Sequence, residues 1–204
     1  MKSESTQFVL VRHAETTYIH ANRIHGHLDA PLTENGLRAA GKTAQHLSGQ
    51  SFDAFYCSSL GRTLHTARII GQAIGMQPTP LDGLRERYYG WLEGKSLVWF
   101  EPDLTGPWYN RIMSRVALFF SGEREELFTG RVLRAIEDIH SRHRGQRVLL
   151  VVHWGTLSVL TRYFSGEDLK NWQAVGPWTA CGITEVHLNG RGWQFIRRDD
   201  SSHL

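Results

Sequence analysis

The feature that most constrains the fold is a series of short apolar runs separated by amphipathic segments. The clearest run is Gln146–Val152, which reads Q-R-V-L-L-V-V, and Gln7–Arg12 near the amino terminus is similar. Continuous apolar runs of this length are typical of strands that are buried on both faces of a parallel sheet. Their alternation with helical patterns predicts an α/β fold, with three α/β/α layers around a mostly parallel, mixed sheet.

The other elements are predicted from periodicity, caps and turn residues. Thr33 is a candidate N-cap for one helix, and Ser58 and Ser59 are candidate caps for a second helix that Gly75 ends. Asn189–Gly190 predicts the turn of a terminal antiparallel pair. The predicted strands are Gln7–Arg12, Phe52–Cys57, Pro78–Leu84 at an edge, Gln146–Val152, Gly182–Leu188 and Trp193–Arg197, and the predicted helices are Leu32–Leu47, Ser58–Ile74, Glu123–His143 and Thr156–Phe164.

Residues 88 to about 127 break this alternation. Pro102, Gly106, Pro107 and several aromatic residues interrupt any single period. We expect this stretch to form a small helical cap insert over the sheet. Because the sequence contains no internal repeat and no linker, we predict one domain over residues 1–204 that carries this insert.

Composition narrows the class of protein. The chain has 204 residues and a net charge of +3, and its basic residues are scattered, which argues against a nucleic-acid partner. Its two cysteines, Cys57 and Cys181, form neither a disulfide framework nor a C-x-x-C pair, which predicts a reducing, cytoplasmic location. The polar start and the lack of a long apolar run predict neither a signal peptide nor a membrane partner.

Several chemically useful residues are predicted to meet at one edge of the sheet. Arg12 and His13 follow the first strand and His153 follows the strongest one, and ligands of open α/β sheets bind at these carboxyl ends. Arg62 lies in the first turns of a helix, where an anion is already favoured. Glu86 follows the third predicted strand, where a carboxyl group could protonate a leaving alkoxide. Each residue alone also fits an ordinary surface position, so the prediction depends on their convergence.

Five stretches, in order, resemble the motifs of the phosphoglycerate-mutase-like histidine phosphatase superfamily, branch one. The resemblance spans nearly the whole chain, down to the terminal D-D-S-S-H-L, and is nearest to the cofactor-independent broad-specificity phosphatases. The stretches are V-R-H-A-E-T (Val11–Thr16), N-R-I-H-G-H-L-D-A-P-L-T-E-N-G (Asn22–Gly36), S-S-L-G-R-T (Ser58–Thr63), L-R-E-R-Y-Y-G-W-L-E-G (Leu84–Gly94) and V-V-H-W-G (Val151–Gly155).

This resemblance implies a histidine acid-type phosphatase that hydrolyses small phosphate monoesters without a metal or a cofactor. It implies that His13 is the nucleophile that becomes phosphohistidine and that Glu86 is the general acid. Arg12, Arg62 and His153 would hold the phosphoryl oxygens. The expected partner is a small phosphorylated metabolite, with a homodimer left open. Substrate contacts are expected from Arg12, Thr16, His25, Gly26, Arg62, Trp154 and Gly155.

The sequence departs from the family pattern at three positions. Ala14 stands where the family usually has glycine, which restricts the backbone beside the nucleophile. Ile19 stands where many members have an asparagine that contacts phosphate, so one donor is expected to be missing. Trp154 replaces a common glycine beside His153, where an indole would shape the mouth of the site or pack in the cap insert.

Two other functions stay open at this point. A phosphoglycerate mutase would use the same His13 and return the phosphoryl group to its substrate, and Glu86-Arg87-Tyr88-Tyr89-Gly90 resembles the mutase form of that motif. The chain lacks the paired arginines that such mutases carry, with the separated Arg111 and Arg115 as the nearest candidates. A catalytically silent binding module of the same fold is the second alternative.

Overall fold

One mixed sheet organises the computed structural model, which describes residues 5–97, 116, 120–190 and 192–204. The strands of the described part are β1 (Gln7–Arg12), β2 (Ala54–Ser58), β3 (Thr79–Leu81), β4 (Arg147–Val152), β5 (Ile183–Asn189) and β6 (Gly192–Asp200). They lie in the order β3-β2-β4-β1-β5-β6; the first four run parallel, β5 pairs antiparallel with β1, and β6 pairs antiparallel with β5. This confirms the predicted mostly parallel, mixed sheet.

Helices cover both faces of the sheet and complete the three predicted layers. The helices of the described part are α1 (Thr17–His20), α2 (Glu34–Leu47), α3 (Gly61–Ile74), α4 (Glu125–Arg142) and α5 (Trp154–Ser165), with 3₁₀ turns at Asp82–Leu84, Gly90–Leu92 and Leu169–Ala174. One buried apolar cluster joins α2 and α3 to one face of the sheet, and a second cluster joins α4 and α5 to the other. Burial of these apolar stripes holds each helix against the sheet.

Helix α2 shows how local sequence sets an element. The Thr33 hydroxyl accepts a hydrogen bond from the Gly36 amide at 2.9 Å, as the predicted N-cap requires. Helix α3 ends at Gly75, whose φ of +70° is the left-handed conformation that glycine adopts without strain. Both of these predicted boundaries are confirmed.

The prediction that Ser58 and Ser59 cap α3 was wrong. The N-cap position is Leu60, which makes no side-chain cap. The first amides of α3, which have no acceptor within the helix, are bound by a distant loop instead. The Asp29 carboxylate accepts from Gly61 N at 2.7 Å and from Arg62 N at 3.3 Å. Ser58 is buried at the carboxyl end of β2, and Ser59 donates to Asp82.

Smaller differences concern element ends. The predicted edge strand Pro78–Leu84 is a strand only over Thr79–Leu81, after which the chain turns into a 3₁₀ helix. Helix α5 begins at Trp154, directly after His153. Asn189 pairs with Gly192, so the hairpin turn follows Asn189 rather than beginning there. The short helix α1 was not predicted.

The predicted cap insert lies mostly outside the described residues, at 98–115 and 117–119. Its two ends are described, and they meet: the Glu123 amide donates to the Tyr88 carbonyl at 2.8 Å. Among the helices of the described residues, none has the length and apolar content needed to cross a membrane.

The pairing of β1 with β4 brings the predicted catalytic residues together. Arg12 is in register with Val152, and the His13 amide donates to the Val152 carbonyl at 2.9 Å. His13 and His153 therefore leave the sheet side by side at its carboxyl edge, as the strand pattern predicted.

Candidate active site

A cavity of about 620 Å³ opens at this carboxyl edge. Four of the predicted catalytic residues line it, namely Arg12, His13, Arg62 and Glu86. The fifth, His153, lies directly beside it, with its ring centroid 5.2 Å from that of His13. The other described lining residues are Arg23, Ile24, His25, Gly26, Tyr89, Leu97, Trp154, Trp172, Gln173, Pro177 and Trp178.

His13 is held in one tautomer. Its side chain is buried, and Nδ1 lies 2.8 Å from the Ala14 carbonyl oxygen, which can only accept a hydrogen bond. The proton therefore resides on Nδ1, and Nε2 keeps its lone pair. Arg62 Nε donates toward Nε2 from 3.3 Å. Such an imidazole presents a nucleophilic nitrogen at the cavity.

The charge state of the histidines favours the same chemistry. Burial, followed by the charges of Arg62 and Arg12, lowers the pKa of His13 well below its ordinary value of 6.5. Burial and Arg62 also lower the pKa of His153 well below that value and bring the pKa of His25 to about 4. At neutral pH these three rings are neutral, so the positive charge at the cavity comes from its arginines.

Arg62 is fixed by its surroundings before any substrate arrives. Its side chain is fully buried and donates to Gly26 O at 2.8 Å, Leu28 O at 3.1 Å and Asp29 Oδ1 at 3.3 Å. Asp29 thus both caps α3 and holds the guanidinium that this helix carries. Preorganised donors of this kind stabilise developing charge because they do not reorganise during the reaction.

Two polar atoms of the five predicted catalytic residues are buried without a hydrogen-bond partner in the described part of the chain. They are Arg12 Nε and His153 Nδ1. Arg12 also donates from Nη1 to the Trp178 carbonyl, which fixes the direction of its guanidinium. Buried donors left unpaired cost free energy, and the oxygens of a phosphoryl group would satisfy them.

His153 takes its orientation from Ser58. The Ser58 hydroxyl lies 2.7 Å from His153 Nε2 and accepts the Leu60 amide at 3.3 Å. Because that hydroxyl can donate its proton to Nε2, the tautomer with the proton on Nδ1 is available. The unpaired Nδ1 then becomes a donor to an anion. Sequence reasoning treated Ser58 as a helix cap and missed this contact.

Glu86 is buried, and its carboxylate is positioned by two backbone amides. Oε1 accepts from Arg87 N and Oε2 accepts from Gly155 N, each at 2.9 Å. A Cβ at Gly155 would lie 2.3 Å from Glu86 Oε1, so only glycine allows this approach. Gly155 contacts the cavity-lining carboxyl group in this way and is not among the described residues that line the cavity.

Of the other predicted substrate-binding residues, three line the cavity and one does not. His25 and Gly26 line the cavity, and so does Trp154. Thr16 does not: its hydroxyl lies 2.5 Å from His25 Nε2 and caps α1 by accepting the Ile19 amide. Gly26 has a φ of +53°, and a Cβ there would lie 1.9 Å from Glu93 Oε1. The role of each of these residues in binding substrate stays a prediction.

The three departures from the family pattern have different consequences. Ala14 lies outside the short set of non-glycine residues with positive φ, and its amide donates to Thr66 Oγ1 at 3.1 Å, so alanine fits its backbone. Ile19 is not among the described residues that line the cavity. Trp154 lines the cavity and packs against Trp172, with ring centroids 6.2 Å apart.

Sequence reasoning missed several residues that shape this site. Arg23 and Tyr89 line the cavity, and Trp172 and Trp178 form part of its wall. Asp29 holds Arg62. These residues lie in loops or in the C-terminal third of the chain, and local periodicity carries no signal of what they face. In the described part of the chain, no group of three His, Cys, Asp or Glu side chains is arranged to hold a metal ion.

The buried histidines predict a pH-dependent stability. We expect the free energy of unfolding to fall as the pH drops below about 6.5, because the unfolded chain then binds protons that the folded state excludes from His13 and His153. The slope should approach about 1.4 kcal/mol per pH unit for each buried ring. Urea unfolding in phosphate-free buffer between about pH 8 and about pH 5.5 measures it, above the range near pH 4 where carboxylates titrate.

His13→Asn should flatten that slope, and His65→Asn, which changes an exposed histidine on α3, should leave it intact. An equal slope in wild type and His13→Asn would contradict the assignment of His13 as a neutral buried ring.

Comparisons with known proteins identify relatives over nearly the whole chain. A model of the histidine phosphatase superfamily (branch 1) matches residues 8–201. The whole chain aligns with 85% of a "Metal-independent phosphoserine phosphatase" of Arabidopsis thaliana at 31% identity over 215 residues. It also aligns over 97% of its length with 94% of a "Probable phosphoglycerate mutase GpmB" of Yersinia pestis (strain Pestoides F) at 34% identity.

Solved structures share the fold. The structure of Bacillus stearothermophilus YhfR superposes with a TM-score of 0.83 at 28% identity, covering 97% of this chain and 98% of that one. A phosphoserine phosphatase of Entamoeba histolytica with bound phosphoserine superposes with a TM-score of 0.80 at 22% identity, over 98% of this chain and 99% of the other. Because the family model matches nearly the whole sequence, this protein belongs to branch 1 of the histidine phosphatase superfamily.

Proposed function

We propose that this protein hydrolyses small phosphate monoesters through a phosphohistidine on His13. In the first step, His13 Nε2 attacks phosphorus, the ester P–O bond breaks, and Glu86 gives its proton to the leaving oxygen. In the second step, Glu86 takes a proton from water, the resulting hydroxide attacks phosphorus, and the P–N bond breaks. Phosphate leaves and His13 is regenerated. Both steps use only protein groups and water, so the proposed reaction requires no metal ion.

The observation that carries this proposal is the state of His13. Its tautomer is fixed by the Ala14 carbonyl, its pKa is lowered by burial, and Arg62 donates toward its Nε2. Arg12 lines the same cavity and His153 lies beside it, each with an unpaired donor. These are the requirements of a neutral nucleophile facing an anion. The Glu86 carboxylate lines the same cavity, where it can serve the leaving group.

The rest of the cavity wall suggests which leaving groups the site would favour. Its described wall includes three indoles, those of Trp154, Trp172 and Trp178, together with Ile24, Leu97 and Pro177. Apolar walls favour ligands that bury apolar surface. We therefore expect esters with an aryl or other apolar leaving group to be preferred over esters of serine or glycerate.

A phosphoglycerate mutase is the second candidate, because a further cation lies in the cavity. Arg23 lines it and donates to the Gly94 carbonyl at 3.2 Å through Nη1, which leaves the other guanidinium nitrogens for a substrate carboxylate. Arg111 and Arg115, which the sequence suggested for this role, lie outside the described residues.

The test is phosphate release in excess EDTA from p-nitrophenyl phosphate, phosphoserine, 2-glycerophosphate and 3-phosphoglycerate. We expect release that EDTA does not reduce, with kcat/KM highest for the aryl ester. Exchange between 3- and 2-phosphoglycerate without net phosphate release would favour the mutase. Absence of both activities would contradict both the phosphatase and the mutase proposals, and would favour a catalytically silent binding module.

A further inference from the structure

Arg131, in the second turn of α4, lies beneath the loop that carries Glu86 and is not among the described residues that line the cavity. Its guanidinium makes hydrogen bonds with all three of its nitrogens. Nη1 donates to Gly83 O at 3.2 Å and to Arg85 O at 2.6 Å, and Nη2 donates to Glu86 O at 2.7 Å. One side chain therefore holds three backbone carbonyls of this loop, including that of the proposed general acid.

The same guanidinium is itself held by a carboxylate. Glu123 accepts from Arg131 Nε at 2.7 Å and from Nη2 at 2.8 Å, a bidentate pair in which both side chains are largely buried. Arg131 lowers the pKa of Glu123, against the opposing effect of burial. The planar fork of arginine suits this combination of one carboxylate and three carbonyls, and a lysine could not reproduce it.

Glu123 extends the arrangement to the next residues of the loop. Its Oε2 accepts from Tyr88 N at 3.2 Å, and its own amide donates to Tyr88 O at 2.8 Å. From another segment of the chain, His27 Nε2 donates to the same Glu86 O at 2.8 Å. The backbone around Glu86 is thus held by two segments, while its carboxylate is held by the amides of Arg87 and Gly155.

The helix and the loop are also packed closely against each other. A Cβ on Gly83 would lie 2.8 Å from Ala135 Cβ, one turn along α4 from Arg131. The loop therefore rests on the helix at Gly83 and is tied to it at Arg85 and Glu86. Displacement of a reacting group by about 1 Å can reduce a rate by about 10²-fold, so such a support affects catalysis even without touching substrate.

We propose that Arg131 is the positioning residue for Glu86, which sets the place of its carboxyl group relative to the leaving oxygen. This inference rests on the proposed function. It assigns to Arg131 a role in proton transfer to the leaving group, and none in binding the phosphoryl group, which belongs to Arg12, Arg62 and His153.

The test compares kcat/KM of Arg131→Met and Arg131→Lys on two esters. p-Nitrophenolate leaves with little help from an acid, whereas the alkoxide of 2-glycerophosphate needs a proton. We expect both variants to lose at least about tenfold more on 2-glycerophosphate than on p-nitrophenyl phosphate. The inhibition constant of inorganic phosphate should change by less than about twofold, because the phosphoryl ligands are untouched.

Two controls separate positioning from general damage. Arg134→Met changes an exposed arginine on the same helix and should leave both esters unaffected. In a Glu86→Gln background, Arg131→Lys should cost little further on 2-glycerophosphate, because the group that it positions is already disabled. The thermal midpoint, recorded for every variant, identifies any variant that fails to fold. Glu123→Gln, which weakens the bidentate pair with Arg131, is then tested in its place.

Equal losses on the two esters would overturn the inference, as would a full additional loss in the Glu86→Gln background. A wild-type protein that hydrolyses neither ester would overturn the proposed function, and the positioning role with it.

Discussion

Replacing His13 with alanine is expected to lower kcat/KM for p-nitrophenyl phosphate by at least about 10⁴-fold, because the atom that forms the covalent intermediate is removed. Arg62 donates toward His13 Nε2, and Arg12 and His153, which carry unpaired donors, line the cavity or lie beside it. In His13→Ala these groups remain, but the attacking nitrogen is lost. Steady-state kinetics in EDTA measure this loss directly.

The intermediate itself provides a second measurement. Wild-type protein mixed with labelled p-nitrophenyl phosphate and quenched during turnover should carry label on His13, stable to alkali and labile to acid. His13→Ala should carry none. His65→Ala, a change at an exposed histidine, should carry as much label as wild type. Label on a different residue would overturn the assignment of His13 as nucleophile.

Glu86→Gln is expected to lower kcat/KM for 2-glycerophosphate by about 10²- to 10⁴-fold and to affect p-nitrophenyl phosphate much less. Glutamine keeps an acceptor for one of the amides of Arg87 and Gly155, so the side chain should stay in place while its proton is lost. The ratio of kcat/KM for the two esters is the readout, because it reports the protonation of the leaving group.

A structural role for Glu86 predicts a different result. If the carboxylate served only to tie Arg87 to Gly155, Glu86→Gln would reduce both esters equally and lower the thermal midpoint. Glu93→Gln is a matched comparison, since Glu93 also accepts backbone amides, those of His27, Leu28 and Tyr89. It should reduce activity on both esters by the same factor.

The sequence predicted the parts of this fold that depend on local pattern. The apolar runs of β1 and β4 predicted their burial, and the predicted position of Arg12, His13 and His153 at the ends of those strands places them at one edge. Thr33 and Gly75 act locally, as a cap and as a left-handed residue, and both were predicted.

What the sequence could not provide is the set of contacts made between distant segments. Asp29 caps α3 across 32 residues, from Asp29 to Gly61, and takes the place that Ser58 and Ser59 were expected to fill. Arg131 reads as an ordinary charged residue of an amphipathic helix, and only the fold brings its guanidinium under the loop of Glu86. A side chain that binds backbone carbonyls leaves no partner residue in the sequence to suggest it.

The wide separation along the chain of the segments that build the site has a consequence for biogenesis. Strand β1 pairs with β4 and β5, and Arg12 at its end donates to the carbonyl of Trp178, 166 residues later. Before the ribosome has made the second half of the chain, β1 has no strand with which to pair. His13, which follows β1, then has no sheet to hold it in place. Contacts this distant make folding slow relative to helical proteins. If the proposed site binds phosphate, we therefore expect that binding only once nearly the whole chain has emerged, so that it would report completed folding.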